Sequence, residues 1–360
     1  MWGWAYLYIL TFSIILSLVL TPVARWLAYK AHILDHPSSR KIHARAMPLL
    51  GGLAIFASFN ITILFNFYLL LWFYSHKMLP PDILSNVPGA IRVTKELMVI
   101  LACGVLIMLI GLIDDLRKVP ARIKLLCQIL VGLLLVMLGV KITFFLKDPF
   151  SSAIITILWV VGITNAFNLL DNMDGLSSGV AVIASLIFFI VSYQSGQFFV
   201  SIMLLALGGS LIGFLRYNFY PSTIFMGDSG SLFIGYMMSV LTIKGTYYTV
   251  ESPTIMPAIM PILILAIPIF DTLSVIYIRL RKRQSIFTGD KNHFSHRLVN
   301  LGMTQKQAVL FIYLVALSIG SGALLLNSVN VIGSLIILLQ SLAIITIIIV
   351  LERSGGNAVR

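Results

Sequence analysis

Five aspartates stand at the ends of long apolar runs, in a chain of 360 residues that carries only 13 Asp and Glu. Asp114 and Asp115 close LIMLIGLIDDLRK, Asp171 and Asp174 close NAFNLLDNMDG, and Asp228 lies in FMGDSGS just ahead of another run. An ionised carboxylate near a bilayer is costly, so it marks function by default. Adjacent carboxylates repel each other unless a cation sits beside them or one takes up a proton. Magnesium suits such a pair, because it prefers oxygen ligands and shares its shell with substrate phosphates. Asn165, Asn168, Asp171 and Asp174 recur every three residues, which keeps them on one slowly drifting side of a helix. Lys118 follows the acidic pair by about one turn, and Lys124 and Gln128 open the next run. The two lysines either hold a phosphate or compensate the acids. Asp228, between Gly227 and Gly230, stands where a helix begins; free amides there attract anions, and a carboxylate can also serve as an N-cap. GDKNHFSHRL at 289–298 adds His293, His296 and Arg297, groups that bind phosphate or hydroxyls or move protons. No Cys or third nearby His completes a zinc set. Asp271, upstream, is expected to orient this loop or to pair with Arg279 or Arg281.

The elements that position these groups are membrane helices. Hydrophobic residues make up 59% of the chain and charged residues 11%, against about 25% charged in a soluble domain. Apolar stretches near 20 residues recur throughout, the length that crosses a bilayer core. They are apolar all round, without the alternation of a barrel strand. The expectation is an all-α polytopic membrane protein of about eleven spans: 4–28, 49–74, 94–113, 123–140, 153–170, 176–194, 198–215, 229–248, 257–278, 308–326 and 331–351. Of the 25 Lys and Arg, 19 fall on one side of this scheme. The other side holds Lys77, Arg92, Lys95, Lys141, Lys147 and Lys244. The positive-inside rule then puts the N-terminus outside and the C-terminus in the cytoplasm. The net charge of +12 is thus a topology signal, and no nucleic-acid partner is expected. Cys103 and Cys127 fall inside spans and read as small core residues, not a disulfide framework. Pro80, Pro81, Pro88 and Gly89 mark irregular backbone in the outer loop 75–93. Pro257, Pro261 and Pro268 imply a bend near Pro268, opening a cleft to lipid. The chain reads as a single transmembrane domain, with catalytic cytoplasmic loops at 29–48, 114–122, 169–176, 216–228 and 279–307. No internal repeat is visible.

The motifs LDHPSSRKIHARAMPLLGG, GLIDDLRKVPARIKLLCQ, NAFNLLDNMDGLSSG, IFMGDSGSLFIG, PIFDTLSVIYIRL and GDKNHFSHRLVNLGMTQKQA run from about residue 33 to 308. In that order they resemble the polyprenyl-phosphate N-acetylhexosamine-1-phosphate transferases, above all the bacterial undecaprenyl-phosphate GlcNAc-1-phosphate transferases that initiate cell-surface glycopolymers. The resemblance implies transfer of a sugar 1-phosphate from a UDP-N-acetylhexosamine to a polyprenyl phosphate lipid with release of UMP. It implies magnesium as cofactor, with manganese as a substitute, and a bacterial inner-membrane location with the active site facing the cytoplasm. By position, Asp114 and Asp115 match the family's acidic pair, one of which is expected to hold or deprotonate the lipid phosphate, and Asn168, Asp171 and Asp174 match its second acidic motif. Asp228 matches the glycine-flanked magnesium ligand, with Asn168 assisting, and His293 and His296 match the ends of the histidine motif. Lys118, Lys124, Asn168, Phe225 and Arg297 are expected to contact substrate, Phe225 at the uracil. Relatives read His-x-His-His, and here the third position is Ser295. The resemblance also allows a homodimer. The alternatives are a phospho-MurNAc-pentapeptide transferase, which shares the acidic motifs but carries three consecutive histidines, and a transporter lined by the same carboxylates.

Cysteines introduced beside Asp115 and beside Asp228 are expected to react with an impermeant thiol reagent from one and the same compartment. Labelling from opposite compartments would break the proposed grouping of the acids.

Overall fold

A computed structural model describes residues 2–36, 46–143, 148–248, 253–286 and 292–358. Parts of two expected loops, 37–45 and 287–291, lie outside the described residues, including Gly289, Asp290 and Lys291 of the histidine segment. The chain opens with α1 (Trp2–Lys30), a two-residue antiparallel ribbon of β1 (Leu34–Asp35) and β2 (Met47–Pro48), and α2 (Gly51–Ser75). Two short helices follow, α3 (Pro81–Leu84) and α4 (Val87–Arg92), where irregular backbone was expected. Pro81 and Pro88 occupy first-turn positions, where proline's fixed φ favours a helix start. The bundle continues through α5 (Thr94–Arg117), α6 (Ala121–Met137), α7 (Pro149–Leu170), α8 (Leu176–Gln194), α9 (Phe198–Asn218) and α10 (Gly227–Lys244). It closes with α11 (Met260–Ile264), α12 (Ala266–Arg281), α13 (Phe294–Asn300), α14 (Gln305–Leu324) and α15 (Val331–Ala358).

This is an all-α polytopic membrane protein. Among the described residues, eight helices are long and apolar enough to cross a bilayer, or nine if the bent pair 256–264 and 266–281 is one span. The two remaining expected spans coincide with α6 and α10, helices of 17 and 18 residues that fall outside that set. Both cysteines are free; Cys103 on α5 is buried, as expected of a core residue, whereas Cys127 on α6 is only half-buried.

α10 is the axis of the fold. All its residues from Ser229 to Thr242 are buried, and α2, α5 and α7 pack around it. Close approach is what its small residues allow. A Cβ on Gly52 would fall on the backbone of Gly230, so α2 and α10 touch backbone to backbone at this point. Gly51 and Gly52 then donate their amides to the carbonyls of Phe225 and Met226 at 3.0 and 2.8 Å. The free N-terminus of α2 is thereby tied to the loop that leads into Asp228. On the periphery α1 and α15 expose apolar side chains such as Ile15, Val19, Leu335 and Leu339, as a lipid-facing surface requires.

The expected bend is present, and it lies at Leu265: the segments 256–264 and 266–281 meet at 68°. Pro268 has no amide hydrogen with which to reach back to the carbonyl of Ile264, so the helix restarts instead of continuing.

Gly52→Ala is expected to destabilise the protein by about 1–3 kcal/mol, the usual cost of overpacking, read as a lower Tm in detergent. An unchanged Tm would mean that α2 and α10 do not meet at this point.

Candidate active site

The ends of α5, α7 and α10 come together with the start of α6, and each brings its polar residues to the same place. The local N-cap of α10, Met226, has no side chain able to cap. Asp115 supplies the cap from α5: its Oδ1 accepts from the Asp228 amide at 2.7 Å and its Oδ2 from the Ser229 amide at 3.1 Å. A carboxylate at a helix N-terminus also meets the positive end of the helix dipole. Gly227, at φ +67, completes the join, because a Cβ there would lie 2.6 Å from Asp115 Oδ2 in a backbone conformation that L side chains rarely adopt. The capping role that the sequence allowed Asp228 therefore belongs to Asp115, and the Asp228 carboxylate is left for other partners.

Those partners are cationic and amide groups. Lys124 Nζ lies 2.7 Å from Asp228 Oδ2 and 2.8 Å from Asp114 Oδ2, bridging two carboxylates from separate segments. Asn168 Nδ2 donates to Asp228 Oδ1 at 3.1 Å and to Ser231 Oγ at 2.9 Å. The second oxygen of Asp114 accepts from the Val119 amide at 2.5 Å, in the turn that ends α5. Of the two roles open to Lys124, compensation of the acids is the one its position fulfils. Lys118 sits at the left-handed C-cap of α5, exposed, with no described contact to the carboxylates. One turn further into the bundle, Asn165 Nδ2 donates to Gln128 Oε1, so the polar face expected of α7 pairs with α6.

The segment between α7 and α8 is held from several sides. Asp174 Oδ2 accepts from the Ser222 amide at 3.0 Å, and the Gly175 amide donates to Asn218 Oδ1 at 3.2 Å. Asn218 Nδ2 also donates to the Ile224 carbonyl at 3.0 Å, so one buried side chain ties this segment to the loop before Asp228. Tyr313 on α14 donates its hydroxyl to the Gly175 carbonyl, and Gly179 leaves room for its ring. The Asp171 amide donates to the Asn168 carbonyl at 3.4 Å, and its carboxylate has no hydrogen-bond partner among the described residues. Its carboxyl is pushed well above the usual carboxylate range, first by desolvation and then by the charges of Asp228, Asp115 and Asp174.

The histidine segment is anchored by Asp271. His293 Nδ1 lies 2.8 Å from Asp271 Oδ2, and the Phe294 amide donates to Asp271 Oδ1 at 2.6 Å. Of the two partners expected for Asp271, the loop is the one the structure gives it. Ser295 donates its hydroxyl to Asn172 Oδ1, which joins α13 to the segment between Asp171 and Asp174. Arg297 turns elsewhere, to Glu352 Oε1 at 2.9 Å and Ser274 Oγ at 3.0 Å, fastening α13 to α15 and α12. Phe225 is half-buried beside the acidic cluster, its amide donating to the Pro48 carbonyl at 2.9 Å.

The donor set suits a divalent cation of the magnesium type. Among the described residues, no three Asp, Glu, His or Cys side chains close on a single point. Two carboxylates do meet across Lys124, with an amide beside them. One or two carboxylates, completed by water and substrate phosphate, is how magnesium is ordinarily held.

Comparison with known proteins identifies the family. Residues 97–246, which carry all five aspartates, match the model of glycosyl transferase family 4. Over 352 residues the chain is 34% identical to the probable undecaprenyl-phosphate N-acetylglucosaminyl 1-phosphate transferase of Bacillus subtilis, covering 95% of this chain and 90% of the relative. The chain belongs to the polyprenyl-phosphate N-acetylhexosamine-1-phosphate transferase family. The transferase is also 29% identical over 329 residues to the decaprenyl-phosphate N-acetylglucosaminephosphotransferase of Mycolicibacterium smegmatis, covering 83% of this chain and 77% of that one. With the undecaprenyl-phosphate alpha-N-acetylglucosaminyl 1-phosphate transferase of Escherichia coli K12 it shares 27% identity over 311 residues, 83% of this chain and 77% of the relative. Asn172, Asn218 and Tyr313 are the transferase's supporting residues that sequence reasoning passed over. Asn172 stands inside a motif already noted, whereas Asn218 and Tyr313 are recognisable only once the helices are packed.

In the transferase, Asp228→Asn is expected to lower magnesium-supported turnover by about a hundredfold or more, the scale at which a preorganised electrostatic group acts. Wild-type rates across a magnesium titration would remove Asp228 from the site.

Proposed function

We propose that this protein transfers N-acetylglucosamine 1-phosphate from UDP-GlcNAc to undecaprenyl phosphate, giving undecaprenyl-diphosphate-GlcNAc and UMP, the first step of a cell-surface glycopolymer. The observation that carries this reading is the convergence of Asp114, Asp115, Asn168 and Asp228 around Lys124 at one end of the bundle. The protein spans the bacterial inner membrane eleven times as a single domain, with its N-terminus outside and this cluster on the cytoplasmic side. The Lys and Arg asymmetry supports that orientation.

The reaction joins two anions. An oxygen of the lipid phosphate forms a bond to the sugar-bearing phosphorus, and the bond from that phosphorus to the bridging oxygen breaks, its electron pair leaving with UMP. Positioning and charge neutralisation supply most of the rate in such transfers. Asp228, assisted by Asn168, and Asp114 would hold magnesium, which neutralises charge on the diphosphate and on the leaving nucleotide. Lys124 offers its ammonium to the same phosphates when it exchanges its carboxylate partners for them.

Asp115 holds the α10 N-terminus, and both its oxygens are committed to that task. Asp171 has no such commitment. It is the carboxylate that orients the lipid phosphate for in-line attack and takes its proton when one is bound. Asp174 keeps the 171–175 segment in place through Ser222. His293, fixed by Asp271, and His296 face the sugar nucleotide, and the half-buried Phe225 borders the uracil. The prenyl chain runs from the 68° bend along α12, where Leu273, Tyr277 and Leu280 are exposed.

Purified protein given radiolabelled UDP-GlcNAc and undecaprenyl phosphate is expected to move label into the organic phase with matching UMP release. Chelation should stop the transfer and added magnesium should restore it. Label that stays aqueous, or unchanged solute accumulating in proteoliposomes, would replace the transferase reading.

A further inference from the structure

The histidine helix and the second acidic segment are far apart in the sequence, and one short side chain joins them. Ser295 is almost fully buried, at 1% exposure, and donates to Asn172 Oδ1 across 123 positions of sequence. Asn172 is itself fixed, its Nδ2 donating to the Leu169 carbonyl at 2.9 Å. α13 is also held at its start by the double contact of His293 and Phe294 with Asp271, and on its far face by Arg297, which reaches Glu352 and Ser274. His296 is thus flanked by two tied residues, Ser295 bonded to Asn172 and Arg297 bonded to Glu352 and Ser274, and of these only Ser295 reaches the second acidic segment. The Asn172 end of the tether adjoins Asp171.

We propose that Ser295 is a positioning residue. By donating to Asn172, its hydroxyl sets the helix that carries His296 against the segment that carries Asp171. The inference rests on the transferase reading above. It also explains why the position that departs from the family's His-x-His-His pattern is not a vacant one: the hydroxyl is short enough to be enclosed and still reach the Asn172 carbonyl oxygen, an acceptor that would be costly to leave unmatched.

The test compares Ser295→Ala, Ser295→Thr and Asn172→Ala in the full-length protein, with kcat and KM for UDP-GlcNAc measured separately. Ser295→Ala and Asn172→Ala are each expected to lower kcat/KM by about three- to tenfold, the worth of one hydrogen bond. The double variant should fall no further than either single one, since both remove the same contact. Ser295→Thr, which keeps the hydroxyl, should stay within roughly twofold of wild type. In a His296→Ala background, Ser295→Ala should have no additional effect. An equal loss in that background would show that Ser295 does not act through His296, and a threonine variant as impaired as alanine would count against the hydroxyl. Hydrogen–deuterium exchange supplies a readout independent of turnover: Ser295→Ala should speed exchange in both 171–176 and 293–300. Unchanged exchange in either segment overturns the tether. A wild-type protein that fails to use UDP-GlcNAc would instead count against the donor assignment and leave the exchange result to decide the tether.

Discussion

The structure depends on a carboxylate of one helix ending another. α10 begins at one end of the bundle, with Gly227 and Asp228 half-buried and Ser229 buried, and its own sequence offers Met226 where a capping side chain would stand. Unsatisfied amides in such a place cost free energy on the order of a lost hydrogen bond each. Asp115 meets two of them, and in doing so sets the distance between α5 and α10. Gly227 and the Gly52–Gly230 contact follow from the same constraint, since any side chain at these positions would hold the helices apart. Asp228 inherits its place from this join.

From there the polar groups fall into two kinds. Most are fully engaged with one another: Asp114 with Lys124 and Val119, Asn168 with Asp228 and Ser231, Asp174 with Ser222, and Asn218 with Gly175 and Ile224. Asp171 is the exception. A rigid surround with one uncommitted acid inside it is the arrangement expected of a site that orients reactants more than it reacts with them. The five aspartates are thus alike in the sequence and unlike in their surroundings, and it is the surroundings that divide their tasks.

Much of this was legible beforehand because bilayer chemistry leaves few options. Runs of apolar residues near the required length gave the helices, and carboxylates at the ends of those runs gave the candidate site. The prolines of 257–268 marked the bend, although its vertex at Leu265 precedes Pro268, because a proline disturbs the turn before it. What stayed hidden depends on which helices become neighbours. Asp115 and Asp228 are 113 positions apart, and nothing local shows that one caps the other. Lys124 could equally have served a substrate or the acids until its distance to both carboxylates was known. Arg297 looked like a phosphate ligand by its place in a histidine motif, yet Glu352 lies within reach from the last helix. The short helices α3 and α4 were missed because prolines that break a long helix also start a short one.

The ammonium of Lys124 has a further consequence for how the site is entered. Its charge is built into the chain, so it offsets part of the negative charge that Asp114 and Asp228 bring together. Under the proposed reaction, an arriving phosphate would take over a partner already in use. Entry would then be an exchange of contacts in which the lysine passes from its own carboxylates to the newcomer. Departure of the nucleotide would be helped in the same way, with the displaced acids beside the ammonium to reclaim it.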